Sequence, residues 1–316
     1  MKKGWVNEEG NRFFAERRAK NSLREEEFWF RLQIEIINQM DYETDALHPD
    51  CCSDGKMSVL DLCMAPGGFT YVALRVHGRA REAEIDAITL PVHAGGHKVA
   101  VRYGETDPRV KVLFEDITMF SSQFGVPRRD IPDDHPERNY FLHNDPLPNT
   151  SYDLVICDGQ TLCGQPRGHR RLEGVRLLNA QLILGLQRIK QGGNLVALLH
   201  KIDAWDTAQL LYTFSRFSDV HIFKHKRVHA FRSGFHMVAK NVQSQTEAAQ
   251  NAIARFKKLW KDATFGDLAT TEDAGDKEGA AEEFLEVFGD RLRELGQGVW
   301  ETQVTALRRA PFIKVE

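Results

Sequence analysis

Cysteine is scarce in this chain, and so are long apolar runs, phosphate-cradling motifs and excess positive charge. The 316 residues contain five cysteines, Cys51, Cys52, Cys63, Cys157 and Cys163, with no Cys-x-x-Cys pair. Cys51 and Cys52 are neighbours, a poor geometry for bridging each other, so free thiols are expected rather than zinc or disulfides. No apolar run approaches the roughly 20 residues needed to span a bilayer. The opening stretch, MKKGWVNEEGNRFFAERRAK, lacks the apolar core of a signal peptide. An intracellular protein is expected, in the cytoplasm or nucleus, without a membrane partner. Neither G-x-G-x-x-G nor G-x-x-x-x-G-K-[ST] occurs, so a pyrophosphate cradle is not indicated. The formal net charge is −3, and any nucleic-acid role therefore needs a local basic patch.

What is present is ordinary in bulk: 42% hydrophobic and 28% charged residues, as in globular proteins generally. The length allows one large domain with extensions, or two modest ones. Residues 1–50 read as helical and charged, with Phe28, Trp29, Leu32, Ile36 and Ile37 on one stripe. Short runs rich in Val, Ile and Leu follow: MSVLDLC (57–63), EIDAITL (84–90), VKVLFED (110–116), YDLVICDG (152–159) and NLVALLHK (194–201). Helical spacing appears over 170–189 and over 204–217, the latter behind Asp203 as an N-cap. Alternating strands and helices imply a parallel sheet covered on both faces. SDVHIFKHKRV (218–228) and SGFHMVAKNV (233–242) are too close together for a helical crossover and should form an antiparallel hairpin. The fold class expected is α/β, a doubly wound, mostly parallel sheet ending in that hairpin. Residues 127–150, rich in Pro, Asp and Asn, read as a surface insertion. Residues 243–316 hold helical patterns around a polar stretch, TTEDAGDKEG. Three units are expected: 1–56, 57–242 and 243–316, the outer two being helical extensions.

The stretch VLDLCMAPGGFTY, Val59 to Tyr71, carries the strongest signal. An apolar strand stops at Pro66, loses its side chains at Gly67 and Gly68, and resumes as a helix. Such a turn is either sterically tight or has something resting against its backbone. Asp116 and Asp158 close the third and fourth strands, where open α/β sheets bind ligands. Each aspartate alone reads better as a cap for the next element; together with the glycine turn they read as a site. A ligand with an adenosine end and an amino-acid end suits a short glycine turn flanked by acids.

DLCMAPGGFTY resembles the first motif of the FtsJ-type S-adenosylmethionine-dependent ribose 2′-O-methyltransferases. VLFEDI, YDLVICDG, GGNLVALLHK and the final hairpin extend the likeness over residues 57–242. The resemblance implies a class I, Rossmann-like methyltransferase fold, S-adenosyl-L-methionine as cofactor, and RNA as the acceptor. It implies that Pro66, Gly67, Gly68 and Phe69 contact the methionine portion of the cofactor, that Asp116 binds the adenine amino group, and that Asp158 lines the same pocket. The family's Lys-Asp-Lys-Glu set maps its second and third members onto Asp158 and Lys201. A ribose hydroxyl must lose its proton as it attacks the methyl carbon, so a base must touch it. Lysine, with an ordinary pKa of about 10.4, needs an environment that lowers it. We therefore expect Lys201 to act as base and Asp158 to orient it.

The sequence departs from the set at two positions. Gly234 stands where the family has glutamate, and Arg31 stands at about the place of the first lysine; arginine is a very poor base. Asp86 lies two positions short of the acid that many relatives use for the cofactor ribose. Two basic clusters are candidates for RNA: Arg167, His169, Arg170, Arg171 and Arg176, and Lys224, Lys226, Arg227 and Arg232. Trp5, Phe13, Phe14 and Trp205 are candidates for stacking a base or cap, although aromatic residues are more often core. Two alternatives stay open: a catalytically inactive RNA- or protein-binding module, and a methyltransferase acting on a non-RNA hydroxyl.

Overall fold

The structure, a computed structural model, describes residues 7–313 except 23, 53–54, 78–81, 101–106, 148–150, 162–166 and 267–276. Seven strands form one sheet: β1 (Lys56–Leu62), β2 (Glu82–Thr89), β3 (Val110–Phe114), β4 (Tyr152–Cys157), β5 (Ile189–His200), β6 (Asp219–Phe223) and β7 (Gly234–Val242), in the order β3-β2-β1-β4-β5-β7-β6. The first five run parallel, and β7 lies antiparallel between β5 and β6. The expected doubly wound sheet with its closing hairpin is therefore present. The chain works outward from β1 to β3 and then returns to β4 beside β1. Strand order reverses there, and the crevice beyond the carboxyl ends of β1 and β4 is the position for a ligand.

Both faces of the sheet are covered, because strands buried on both sides must meet a layer on each. On one face α2 (Glu26–Thr44) and α3 (Gly68–His77) bury Ile37, Met40, Phe69 and Val72 against Val59, Ile156, Val196 and Val238. On the other, α4 (Arg167–Arg188), α5 (Trp205–Ser215) and α6 (Glu247–Phe265) close over Leu60, Val155, Leu195 and Met237. Trp260 of α6 is fully buried, packs on Phe124 at 4.6 Å between ring centroids, and donates its indole N–H to the Thr118 carbonyl at 3.1 Å. The region after residue 242 thus shares the central core. The long α7 (Lys277–Arg308) follows, and Phe312 beyond it packs on Phe13 and Phe14 of α1 (Glu8–Ser22).

The structure corrects several sequence expectations. β5 begins at Ile189, five residues earlier than the NLVALLHK run, because α4 passes into it without a loop; Gly192 absorbs the turn at φ +81°. Ala204 rather than Asp203 precedes α5, with no side-chain cap. The 127–150 insertion is anchored: Ile131 and Phe141 are buried, and Phe141 packs on Phe265 of α6. In α2, Phe30, Ile36, Ile37 and Met40 form the buried stripe, while Phe28 and Trp29 are only half-buried. Cys51, Cys52, Cys63 and Cys157 are free, and Cys163 lies outside the described residues. Among the described residues no helix is long and apolar enough to cross a membrane, and no group of side chains is arranged to hold a metal ion.

Candidate active site at the carboxyl ends of the strands

The glycine turn is built from its neighbours inward. Gly67 adopts φ +105°, a left-handed conformation that favours glycine. A side chain on Gly68 would collide with Gln33 Cβ at 2.5 Å and with the Phe30 carbonyl at 2.6 Å. Gln33 Oε1 also accepts the Gly68 N–H at 2.8 Å. Gly68 is therefore bare because α2 presses on it, and Phe69, 1% exposed, points into the core beneath the sheet. Neither opens on the crevice through a side chain; Pro66 and Gly67 form its rim. Across the turn Thr70 Oγ1 donates to Asp61 Oδ2 at 2.6 Å, both residues buried. This bond ties the end of β1 to the first turn of α3. Sequence reasoning missed it, although the Asp and Thr flank the glycine motif.

Three carboxylates converge beside this turn. Burial first, and to a smaller extent the charge of Asp158, push the Asp61 carboxyl up to about 7 against the lowering effect of the Thr70 hydrogen bond. Cys63, at φ +66° just beyond β1, has its thiol pushed far up by burial and then by Asp116, Asp61 and Asp158. The switch point of the sheet is thus a region of negative potential. Asp116 caps the helical turn Ile117–Met119, its Oδ1 accepting from Thr118 N and Oγ1, both at 2.8 Å. Among the described residues its Oδ2 has no partner in the crevice. Gly159 packs so closely on Cys63 that a Cβ would lie 2.5 Å from the thiol sulfur, which accounts for glycine after Asp158. Asp86 is committed elsewhere, accepting from the Tyr152 hydroxyl at 2.8 Å.

Asp158 and Lys201 stand at the ends of the neighbouring strands β4 and β5, but they are not paired. Asp158 Oδ1 instead lies 3.1 Å from His236 Nε2, with side-chain exposures of 14% and 2%. Lys201 is exposed, turns out of the strand at φ +51°, and hydrogen-bonds through its backbone N–H to the Ser233 carbonyl at 3.0 Å. No hydrogen bond or ion pair holds its ammonium among the described residues. Asp158 Oδ1 is thus taken by His236, which enters from β7 on the face that packs against Phe69.

A strand-to-helix glycine turn, acidic ends on β1, β3 and β4, and a lysine ending β5 form one constellation on one sheet edge. The family model described as FtsJ-like methyltransferase matches residues 38–242. The chain belongs to this family. It is an S-adenosylmethionine-dependent methyltransferase of class I fold. A crystal structure described as a ribosomal RNA methyltransferase from Plasmodium falciparum is 16% identical, covers 66% of this chain and 96% of its own, and gives a TM-score of 0.44. Human methyltransferase-like protein 13 in complex with SAH is 12% identical, with 78% and 99% covered and a TM-score of 0.39. An rRNA methylase from Streptococcus thermophilus is 14% identical, with 65% and 95% covered and a TM-score of 0.35. Among curated proteins no relative matches.

The positions where this FtsJ-like chain departs from the four-residue set are now explained in space. Arg31 lies on α2 with its side chain 76% exposed and bound to Glu27 at 2.8 Å. At Gly234 a Cβ would meet His229 Nδ1 at 2.8 Å and the His200 ring at 3.4 Å, so two imidazoles occupy the room a glutamate needs. Lys224, buried, donates to the carbonyls of Arg232 and Gly234 at 2.7 and 2.9 Å, and burial lowers its pKa to about 8. It therefore faces inward and leaves the basic surface. Arg176 leaves it too, bound to Glu137 Oε2 at 2.6 Å with 14% exposure. Arg227 remains at the surface beside Glu35, and Lys226 is exposed. The side chains of Arg167, His169, Arg170 and Arg171 lie outside the described residues, as does Trp5. Phe13, Phe14 and Trp205 are engaged with other aromatic rings rather than presented for stacking.

Proposed function

We propose that this methyltransferase acts on the 2′-hydroxyl of an RNA ribose, with S-adenosylmethionine bound over the Pro66–Gly67 rim. The observation that carries the cofactor's placement is the glycine turn between β1 and α3, with Gly67 at φ +105°, flanked by Asp116 and Asp158 just beyond the ends of β3 and β4. A negative field in a crevice suits a ligand bearing a sulfonium and an ammonium group. Asp116, with Oδ2 facing no protein donor, would accept from an amino or hydroxyl group of the adenosine end. When bound, the cofactor supplies an electrophilic methyl group activated by positive sulfur.

The chain's own residues then orient the acceptor and remove its proton. Lys201 would accept the hydroxyl proton of the acceptor as that oxygen takes up the donor's methyl group, and Asp158 would orient the reacting groups. Lys201 ends β5 at φ +51° and is exposed. RNA as acceptor is supported by the exposed cations Lys226 and Arg227 and by the four basic residues in the sequence that opens α4. Residues 57–242 are proposed as the catalytic unit, with 1–56 and 243–316 as helical extensions.

Transfer of labelled methyl from the donor to capped and uncapped RNA tests this reading, with wild type and Lys201→Ala compared. Transfer should require RNA and fall by about a hundredfold or more in the variant. Wild type that binds RNA and donor without transfer would point to a binding module; transfer to a small hydroxyl compound alone would point to another acceptor. Full transfer by Lys201→Ala would remove the lysine from the mechanism.

A further inference from the structure

Four histidines gather around the start of β7: His200, His225, His229 and His236. Only His236 reaches the crevice residues. Its Nε2 lies 3.1 Å from Asp158 Oδ1, its ring sits 6.1 Å from Phe69 and 6.3 Å from Phe223, and it is 2% exposed. An ionised carboxylate only accepts hydrogen bonds, so in this pair Nε2 carries the proton and donates. β7 fixes the ring from behind, since His236 stands opposite Leu198 of β5 and Phe223 of β6. Two apolar neighbours and two strands leave the imidazole little freedom to turn away.

Gly234 explains why a histidine can stand in for a carboxylate. The two positions project to the same face of β7, two residues apart. At Gly234 the space is taken by His229 Nδ1 and His200, and the loop carrying it is held by the Lys224 ammonium. A carboxylate there would be crowded out. The strand-end Asp158 is instead braced from two positions further along β7, by His236.

We infer that His236 is a positioning residue for methyl transfer: it holds the Asp158 carboxylate through Oδ1 and leaves Oδ2 facing the crevice to orient Lys201 and the acceptor. This rests on the function proposed above. His236 itself, almost fully buried, does not touch substrate. Asp158 and Lys201 remain the groups at the reacting atoms. The arrangement replaces a lysine–glutamate contact by an imidazole–carboxylate one, and it lets a set with Arg31 turned outward and Gly234 bare still hold its central acid.

The test compares full-length wild type with His236→Phe and His236→Gln. Phenylalanine keeps the ring volume without a donor, whereas the glutamine amide can donate to Asp158. His236→Phe should lower kcat for RNA methylation by about tenfold or more, the scale expected when a reacting group loses its orientation. KM for RNA and the dissociation constant for the donor should stay within about twofold, and His236→Gln should recover most of the loss. Equal rates in His236→Phe and wild type, or no recovery by glutamine, would overturn the inference. A second readout needs no turnover: long-range proton–nitrogen NMR of the imidazoles in wild type and in Asp158→Asn. It should find His236 protonated on Nε2, with a signal that moves in Asp158→Asn. The opposite tautomer, indifferent to Asp158→Asn, would overturn the pairing even if RNA is methylated. Wild type that methylates no RNA would defeat the proposed function, while the NMR result would still decide the pairing.

Discussion

Replacing Asp61 by asparagine should change how stability depends on pH, in a direction that the burial of its carboxyl dictates. Asp61 is 1% exposed, and its carboxyl is pushed up to about 7 by burial and by the neighbouring charge of Asp158. A carboxyl raised in the folded state helps stability fully below the unfolded value near pH 4, and that help is lost as pH climbs through 7. Integrating the linkage between about pH 5 and about pH 8 assigns a loss of roughly 2–3 kcal/mol to this one group. Asparagine keeps an oxygen to accept the Thr70 hydroxyl, now 2.6 Å from Asp61 Oδ2, but it does not titrate. Urea unfolding of wild type and Asp61→Asn at both pH values isolates the term, because all other groups cancel in the double difference. Asp61→Asn should gain roughly 2–3 kcal/mol on wild type over that interval. A gap that stays constant within about 0.5 kcal/mol would show that the carboxyl ionises as freely as in the unfolded chain, refuting the picture of a desolvated acid beneath the glycine turn.

Other expectations concern packing around the site. Gly68→Ala should destabilise by more than the usual conservative change, about 2 kcal/mol or more, because its methyl meets the Phe30 carbonyl at 2.6 Å and backbone cannot swing aside; unchanged melting would mean α2 is not seated there. Gly234→Ala should cost about 1–3 kcal/mol through the 2.8 Å contact with His229. Adding His229→Ala should recover that cost in thermal unfolding, and additive losses would contradict the contact. Trp260→Ala should lose about 3–5 kcal/mol in denaturant unfolding, since a fully buried ring and its bond to Thr118 vanish together. A loss below about 1 kcal/mol would show α6 to be peripheral.

The strands could be read from composition because each is a short Val, Ile and Leu run, and a parallel strand buried on both faces has no other way to be written. The hairpin was readable because so few residues separate its arms. The ends were less so: β5 starts at Ile189 because a helix runs straight into it, and no turn signal marks a junction without a loop. The glycine motif announced a turn but not the reason for each glycine. Gly67 answers to backbone conformation, whereas Gly68 answers to Gln33 and Phe30, some 35 residues away in sequence.

Charge was the least legible property. Lys224 and Arg176 sit in runs that look like exposed basic patches, yet each is drawn inward by a partner distant in the chain or by carbonyls of a neighbouring loop. A residue's type states what it can bond; which bond forms depends on what the fold brings within about 3 Å. The sequence by itself determined the sheet, the turn and the row of acids, because local periodicity and side-chain size act through near neighbours. Only the tertiary structure decided that His236 holds Asp158 and that imidazoles fill the space at Gly234. Those contacts join β4, β5 and β7, and their distances exist only once the strands lie side by side.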